Sequence, residues 1–269
     1  MTTKLVGVGG GKMGEALIAG LLAAGWAGPD ELAVAETWPA RREELLAASG
    51  LAGRHPGITV TESPVPAGGA LVAVKPADVA QACRGIAAVG IPRVLSIAAG
   101  VPLAQLETWL GAGTAVVRAM PNTPALIGAG AAAISAGRDA GPADMAWAEE
   151  ILGSVGTVAR LAEPLLDAVT GLSGSGPAYV FLVAEALIDA GVLVGLPRPV
   201  SRELAIQTLL GSARLLAESG QSPETLRAAV TSPGGTTAAG LRALEAAAVR
   251  SAFLDAVVAA TERSRDLGR

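Results

Sequence analysis

Val6-Gly7-Val8-Gly9-Gly10-Gly11-Lys12-Met13-Gly14, near the start of the chain, decides the fold. An apolar run leads straight into G-x-G-x-x-G and then into a helical pattern, so the glycines stand at a strand-to-helix junction. Gly9 is expected to make the tight turn. Gly11 is expected to let a pyrophosphate approach the backbone, and Gly14 to let helix and strand pack closely. Phosphates at such a junction rest on the helix N-terminus, where unpaired N–H groups and the helix dipole favour anions. A lone match to this pattern is weak evidence, but here the strand, the helix and the N-terminal position agree. The competing reading is an ordinary turn in a chain with 35 glycines.

Further along, Ala35-Glu36-Thr37-Trp38-Pro39-Ala40-Arg41-Arg42 closes the second apolar run. Glu36 stands where an acid would grip a ribose 2′-OH and favour NAD. Arg41 and Arg42 follow at once and suit a 2′-phosphate, favouring NADP, unless they are simply a solvated helix start. The segment leaves both cofactors open. Val74-Lys75-Pro76 ends another strand at the sheet edge where ligands bind in open α/β folds, and Lys75 could reach ribose or nicotinamide. Arg118 to Pro124, with Asn122 in its middle, likewise follows a strand.

The first half alternates short apolar runs with Ala/Leu-rich helical stretches, the pattern of a parallel sheet with crossover helices. Strands are expected at Lys4–Val8, Glu31–Glu36, Ile58–Thr61, Ala70–Val74, Arg93–Ile97, Ala115–Ala119 and Ala131–Ser135. Helices are expected at Met13–Ala24, Pro39–Ala48, Pro76–Val89, Pro102–Leu110 and Pro142–Leu152, several opening with proline at the first helical position. Beyond Arg160 only helical patterns follow, at Pro164–Leu172, Pro177–Val194, Pro199–Ser219, Pro223–Val230, Thr236–Val249 and Ser251–Asp266. The expected fold is therefore a Rossmann-type α/β domain with a parallel-rich sheet over residues 1–161, followed by an all-α domain over 162–269. The stretch Pro177–Val194 carries only Glu185 and Asp189 as charges, which suits a fully buried helix or a subunit interface.

Composition prunes the chemistry. Of 269 residues, 51% are hydrophobic and 16% charged, and the mean hydropathy is +0.49. The longest uncharged stretch, Ala119–Gly137, contains Pro121, Asn122, Pro124 and three glycines and does not read as a spanning helix. The N-terminal run lacks an apolar h-region, so a soluble cytoplasmic protein with no membrane partner is expected. One cysteine, Cys83, excludes a disulfide framework, and one histidine, His55, excludes a His cluster for zinc; no metal site is expected. A net charge of −4 and few aromatics argue against nucleic acid. Chemistry performed by a bound cofactor remains.

Two clusters in the helical half look built for an anion: Ser173-Gly174-Ser175-Gly176-Pro177, and Thr231-Ser232-Pro233-Gly234-Gly235-Thr236-Thr237. Each places glycines and hydroxyls before a helix, where successive N–H groups can converge on a carboxylate or phosphate. Ordinary capping explains one such loop comfortably and strains to explain two.

These residues resemble one family over essentially the whole chain, the pyrroline-5-carboxylate reductases. The resemblance rests on GGGKMG, AVKPADV, RAMPNTPA, SGSGPAYVFLVAEALIDAGVLVGL and, most specifically, VTSPGGTTAAGLRALE. It implies a Rossmann domain followed by a helical dimerisation domain of the 6-phosphogluconate dehydrogenase C-terminal type. It implies homodimers that often assemble into decameric rings, and reduction of 1-pyrroline-5-carboxylate to L-proline by NADP(H), with NAD(H) also in view. Under the resemblance Gly9, Gly10, Gly11, Lys12 and Met13 hold the pyrophosphate, and Glu36 and Arg41 meet the adenosine ribose. Val74, Lys75, Pro76, Ala99 and Asn122 are placed on the nicotinamide side. Ser175, Ser232, Gly234, Gly235, Thr236 and Thr237 bind substrate, the second loop coming from the neighbouring subunit, and Thr237 serves the ring nitrogen. Glu36 departs from the Ser or Asn/Arg clusters common in NADP-preferring relatives. A β-hydroxyacid or 6-phosphogluconate-type dehydrogenase would want a lysine in the first helix of the helical domain, and Pro177–Val194 has none. A non-catalytic nucleotide sensor would have no use for the second anion loop.

Overall fold

The computed structural model of the chain describes residues 3–268. The glycine motif joins β1 (Leu5–Val8) to α1 (Lys12–Ala23), and the chain then runs β2 (Leu32–Ala35), α2 (Pro39–Leu46), α3 (Leu51–Arg54) and β3 (Thr59–Thr61). It continues through β4 (Ala70–Val72), α4 (Val79–Ala88), β5 (Arg93–Ser96), α5 (Leu103–Leu110) and β6 (Ala115–Met120). The sheet-forming part ends with β7 (Gly130–Ala136), α6 (Pro142–Gly153), β8 (Gly156–Arg160) and the short α7 (Leu166–Val169).

The strands form one eight-stranded sheet in the order β3-β2-β1-β4-β5-β6-β7-β8. Neighbours pair in parallel except β6 with β7. This is the Rossmann arrangement, with the strand order reversing between β1 and β4. Strand periodicity divides the core. Leu5, Leu32, Val34, Leu71, Leu95 and Val117 point to one face, beneath Leu17, Ile18 and Leu21 of α1 and Ile151 and Leu152 of α6. Their neighbours Val6, Val8, Ala33, Ala35, Val72, Val94 and Val116 point to the other, beneath Val79, Cys83 and Ile86 of α4 and Leu106 and Leu110 of α5. A sheet covered on both faces needs nearly continuous apolar strands, and these strands supply them.

One strand escapes the sequence pattern. β8 pairs in parallel with β7, from Gly130↔Gly156 to Ile134↔Arg160, but lies at the sheet edge with most of its side chains partly or fully exposed. Without a buried face, Gly-Thr-Val-Ala-Arg carries no strand periodicity. Its pairing is fixed by backbone proximity instead: a Cβ on Gly156 would stand 2.0 Å from the Gly130 carbonyl oxygen.

The expected open loop at Ser173–Gly176 is also corrected. Thr170–Gly174 forms a π-turn that continues α7, and the Ser175 N–H donates to the Thr170 carbonyl at 2.8 Å. The hydroxyls of Thr170 and Ser173 donate back to the carbonyls of Leu166 and Val169 at 2.9 and 3.1 Å. Gly174 serves close packing, since a Cβ there would meet Met120 Cε at 2.6 Å. Such π-turns concentrate at functional sites.

The chain separates into two compact units, one comprising the residues up to Ser175 together with those from Ala259 onward, the other Gly176–Val258. Every element described in the second is helical: α8 (Gly176–Leu193), α9 (Arg198–Ser219), α10 (Pro223–Ala229), α11 (Thr236–Ala246) and the beginning of α12 (Val249–Leu267). α8 and α9 pack closely, with the Ser201 hydroxyl donating to the Ile188 carbonyl at 2.7 Å and no room for a side chain at Gly191. α8 has no buried residue; Phe181 is 62% and Leu193 87% exposed. The helical run Glu163–Leu193 is long and apolar enough to cross a membrane by length and composition alone. At its far end α12 returns to the first unit, where the Ser264 hydroxyl donates to Asp167 Oδ1 at 2.7 Å.

Candidate active site

The dinucleotide loop is built from three glycines with three different constraints. Gly9 has φ +103°, and a Cβ there would stand 2.7 Å from the Ala73 carbonyl oxygen. Its N–H donates to the Ala35 carbonyl at 2.8 Å, so the turn is anchored to the end of β2. Gly14 lies against Gly9, closing helix on strand. Gly11 differs, since nothing lies within 4 Å of a Cβ placed there. It is the N-cap of α1 and supplies no side-chain cap, leaving the first-turn N–H groups of the helix open to an anion. Lys12 beside it is exposed, and Met13 is half-buried against the core. This cradle, open where a phosphate would sit and closed elsewhere, fits a dinucleotide.

Glu36 stands just past β2 with its carboxylate held from two sides. The Gly10 N–H donates to Oε2 and the Trp38 N–H to Oε1, each at 2.9 Å. Arg41 is engaged by protein groups: its Nε donates to the Gly10 carbonyl at 2.8 Å, and its terminal nitrogens pair with Glu44 and Glu15 at 2.7 and 2.6 Å. The Glu44 hydrogen bond leads the causes that raise the Arg41 pKa, against a smaller lowering by burial.

The loops after β4 and β5 form the other side of the crevice. Val74 abuts the Gly9 turn, while Lys75 and Pro76 are exposed at the mouth, Pro76 opening a short 3-10 turn before α4. A cavity of about 310 Å³ lies here, lined by Pro76, Ala99, Gly100, Thr170, Ser175 and Arg263 among others. Ala99, expected to meet the cofactor, and Ser175, expected to meet the substrate, thus line one cavity. Thr170 joins them from the π-turn, and Arg263 and Ser264 do so without any local signal, because α12 reaches this cavity from the far end of the chain. Asn122 acts as a brace: its Nδ2 donates to the Ser173 carbonyl at 3.1 Å, and its Oδ1 accepts from the Ala131 N–H at 2.9 Å.

The second anion loop belongs to the helical unit. Gly234 has φ +69°, and the Gly235 N–H donates to the Ser232 carbonyl at 3.0 Å. The turn delivers Gly235 as N-cap of α11 with no side chain capping the helix, so its first N–H groups face outward. Ser232, Gly234, Thr236 and Thr237 are exposed and Gly235 half-buried.

Against known proteins, the chain is 43% identical to the pyrroline-5-carboxylate reductase of Synechocystis, over all of both chains. It belongs to the pyrroline-5-carboxylate reductase family. The reductase of Methanosarcina acetivorans is 41% identical over 97% of each chain. The family's dimerisation model matches residues 163–267, and a model described as NADP oxidoreductase coenzyme F420-dependent matches residues 4–100. Among solved structures, a pyrroline-5-carboxylate reductase from Coxiella burnetii superposes with a TM-score of 0.90 at 33% identity, covering all of both chains. The Plasmodium falciparum reductase with NADP bound superposes at 0.84 and 30% identity, covering 99% of this chain and 98% of that one. The reductase family thus matches both the glycine cradle and the helical unit.

Proposed function

We propose that this chain reduces the C=N bond of 1-pyrroline-5-carboxylate to give L-proline, the last step of proline synthesis, with NADPH or NADH as reductant. Full-length identity to reductases of that name carries the reading. The bound dinucleotide supplies the hydride. Gly9 to Met13 seat its pyrophosphate on the start of α1, and Val74, Lys75, Pro76 and Ala99 border the nicotinamide side, with Asn122 fixing the backbone behind it. The loop from Ser232 to Thr237 holds the substrate carboxylate on the N-terminus of α11, with Ser175 contributing from the cavity wall, and Thr237 hydrogen-bonds the ring nitrogen. A protonated imine already carries the positive charge that activates its carbon, so a strong protein acid is dispensable. Alignment then does most of the work: holding two reactants in line contributes roughly 7–11 kcal/mol.

The exposed apolar surface of α8 supports a homodimer built through the helical unit, with the second anion loop serving the partner's site. Assembly of dimers into a decamer, a cytoplasmic location, and action without membrane or nucleic acid complete the reading. The deciding experiment supplies pyrroline-5-carboxylate to the purified chain with NADPH and, separately, NADH. Cofactor oxidation with stoichiometric proline is expected; no turnover with either cofactor overturns the assignment. Light scattering on the same sample is expected to give a dimer or a multiple of it.

A further inference from the structure

We propose that this chain discriminates against the 2′-phosphate and takes NADH in preference to NADPH, with Glu36 as the specificity-determining residue. The inference rests on the dinucleotide site proposed above. An acid at the end of the second strand is the group that meets the adenosine ribose in this fold. Here the carboxylate cannot swing aside without giving up both backbone hydrogen bonds, from Gly10 and Trp38, each at 2.9 Å. Its remaining lone pairs suit a pair of ribose hydroxyls, which donate. A 2′-phosphate, carrying close to two negative charges and no hydrogen to give, would meet a fixed negative charge instead.

The arginines around Glu36 are already engaged. Arg41 holds Glu15, Glu44 and the Gly10 carbonyl. Arg42 donates to the carbonyls of Glu36 and Thr37 at 2.7 and 2.8 Å and stands 3.7 Å from Glu62. Arg54 pairs with Glu15 at 2.9 Å. Glu15, Glu44 and Glu62 thus occupy the three arginines, which leaves the fixed Glu36 carboxylate to meet the ligand. Reorienting Arg41 toward a phosphate would leave Glu15 and Glu44 short of a partner and release the Gly10 carbonyl that helps shape the loop.

Calorimetric titration of the full-length protein with NADH and with NADPH tests this without relying on turnover. We expect NADH to bind at least tenfold more tightly, equivalent to about 1.4 kcal/mol. Glu36→Gln retains an oxygen acceptor and removes the charge; it is expected to bring the two affinities within about threefold, chiefly by tightening NADPH. NADPH binding as tightly as NADH to the unaltered protein overturns the proposal, and so does a Glu36→Gln variant that folds with its preference unchanged. If neither dinucleotide binds, the site itself is wrong and this proposal falls with it. Proline formation with NADPH preferred would leave the reductase assignment standing and remove only the discrimination.

Discussion

The α-carbon of Gly14 sits so close to the Gly9 carbonyl that a Cβ on Gly14 would stand 2.2 Å from that oxygen. The obstacle is backbone and cannot rotate away. Gly14→Ala is therefore expected to cost about 1–3 kcal/mol or more, the range for forced overpacking, and to deform the loop. Gly11→Ala meets no neighbour within 4 Å. It is expected to change stability by less than about 1 kcal/mol, the usual scale of an N-cap change, while weakening dinucleotide binding at least tenfold. Urea denaturation and ligand titration on both variants separate the structural glycine from the ligand-facing one; equal effects on both measurements would contradict the division.

Thr237 lies exposed in the first turn of α11 and supports no part of the fold among the hydrogen bonds described. Thr237→Ala is expected to lower kcat by roughly 10²–10⁴, the scale of a lost proton-handling group, with melting temperature and dinucleotide affinity unchanged. Turnover equal to the unaltered enzyme would remove Thr237 from the reaction.

Arg118 is buried, and its Nη1 donates to Glu163 Oε1 at 2.8 Å; the same oxygen accepts from the Leu103 N–H at 2.7 Å. Glu163→Ala leaves a buried guanidinium and a backbone N–H without their acceptor, with an expected loss of about 3 kcal/mol. Replacing both partners, Arg118→Met with Glu163→Ala, is expected to cost distinctly less than the sum of the two single replacements. A double-mutant cycle by chemical denaturation reads the difference; additive losses would show that the pair is not coupled.

Cys83 is fully buried on the sheet-facing side of α4, and burial pushes its thiol up to about 11 from the ordinary 9.0, against a smaller lowering by Arg84. The native thiol is therefore expected to resist iodoacetamide at pH 8 and to react promptly in denaturant. The linkage follows in sign. Between pH 9.0 and 11 the unfolded chain has released the thiol proton and the native one retains it. Stability thus falls as pH rises, by at most about 1.4 kcal/mol per pH unit from this group. Cys83→Ala is expected to show a correspondingly shallower alkaline decline. Identical slopes would mean that Cys83 does not contribute.

Most of the parallel sheet was legible because its strands are covered on both faces and so read as apolar runs, while several of the helices between them open at or beside a proline. β8 was not, because an exposed edge strand has no pattern to show. The Ser173–Gly176 cluster misled for a related reason: glycine marks either a flexible turn or a close approach, and only the neighbouring Met120 reveals that Gly174 is the latter. Arg263 was out of reach, since its place in the cavity wall depends on α12 returning to the first unit.

By itself the sequence determined the Rossmann half, the helical half, the glycine turn between β1 and α1 and the family, because these rest on local spacing and residue type. The tertiary structure decided what charged side chains are available to do. Glu36 and Arg41 look like equal rivals five residues apart on the chain. In the fold, Glu15 and Glu44 close on Arg41, while backbone N–H groups hold Glu36 at the site. Spacing along the chain fixes where a charge begins, but its partner, brought from another element by packing, fixes whether a ligand ever meets it.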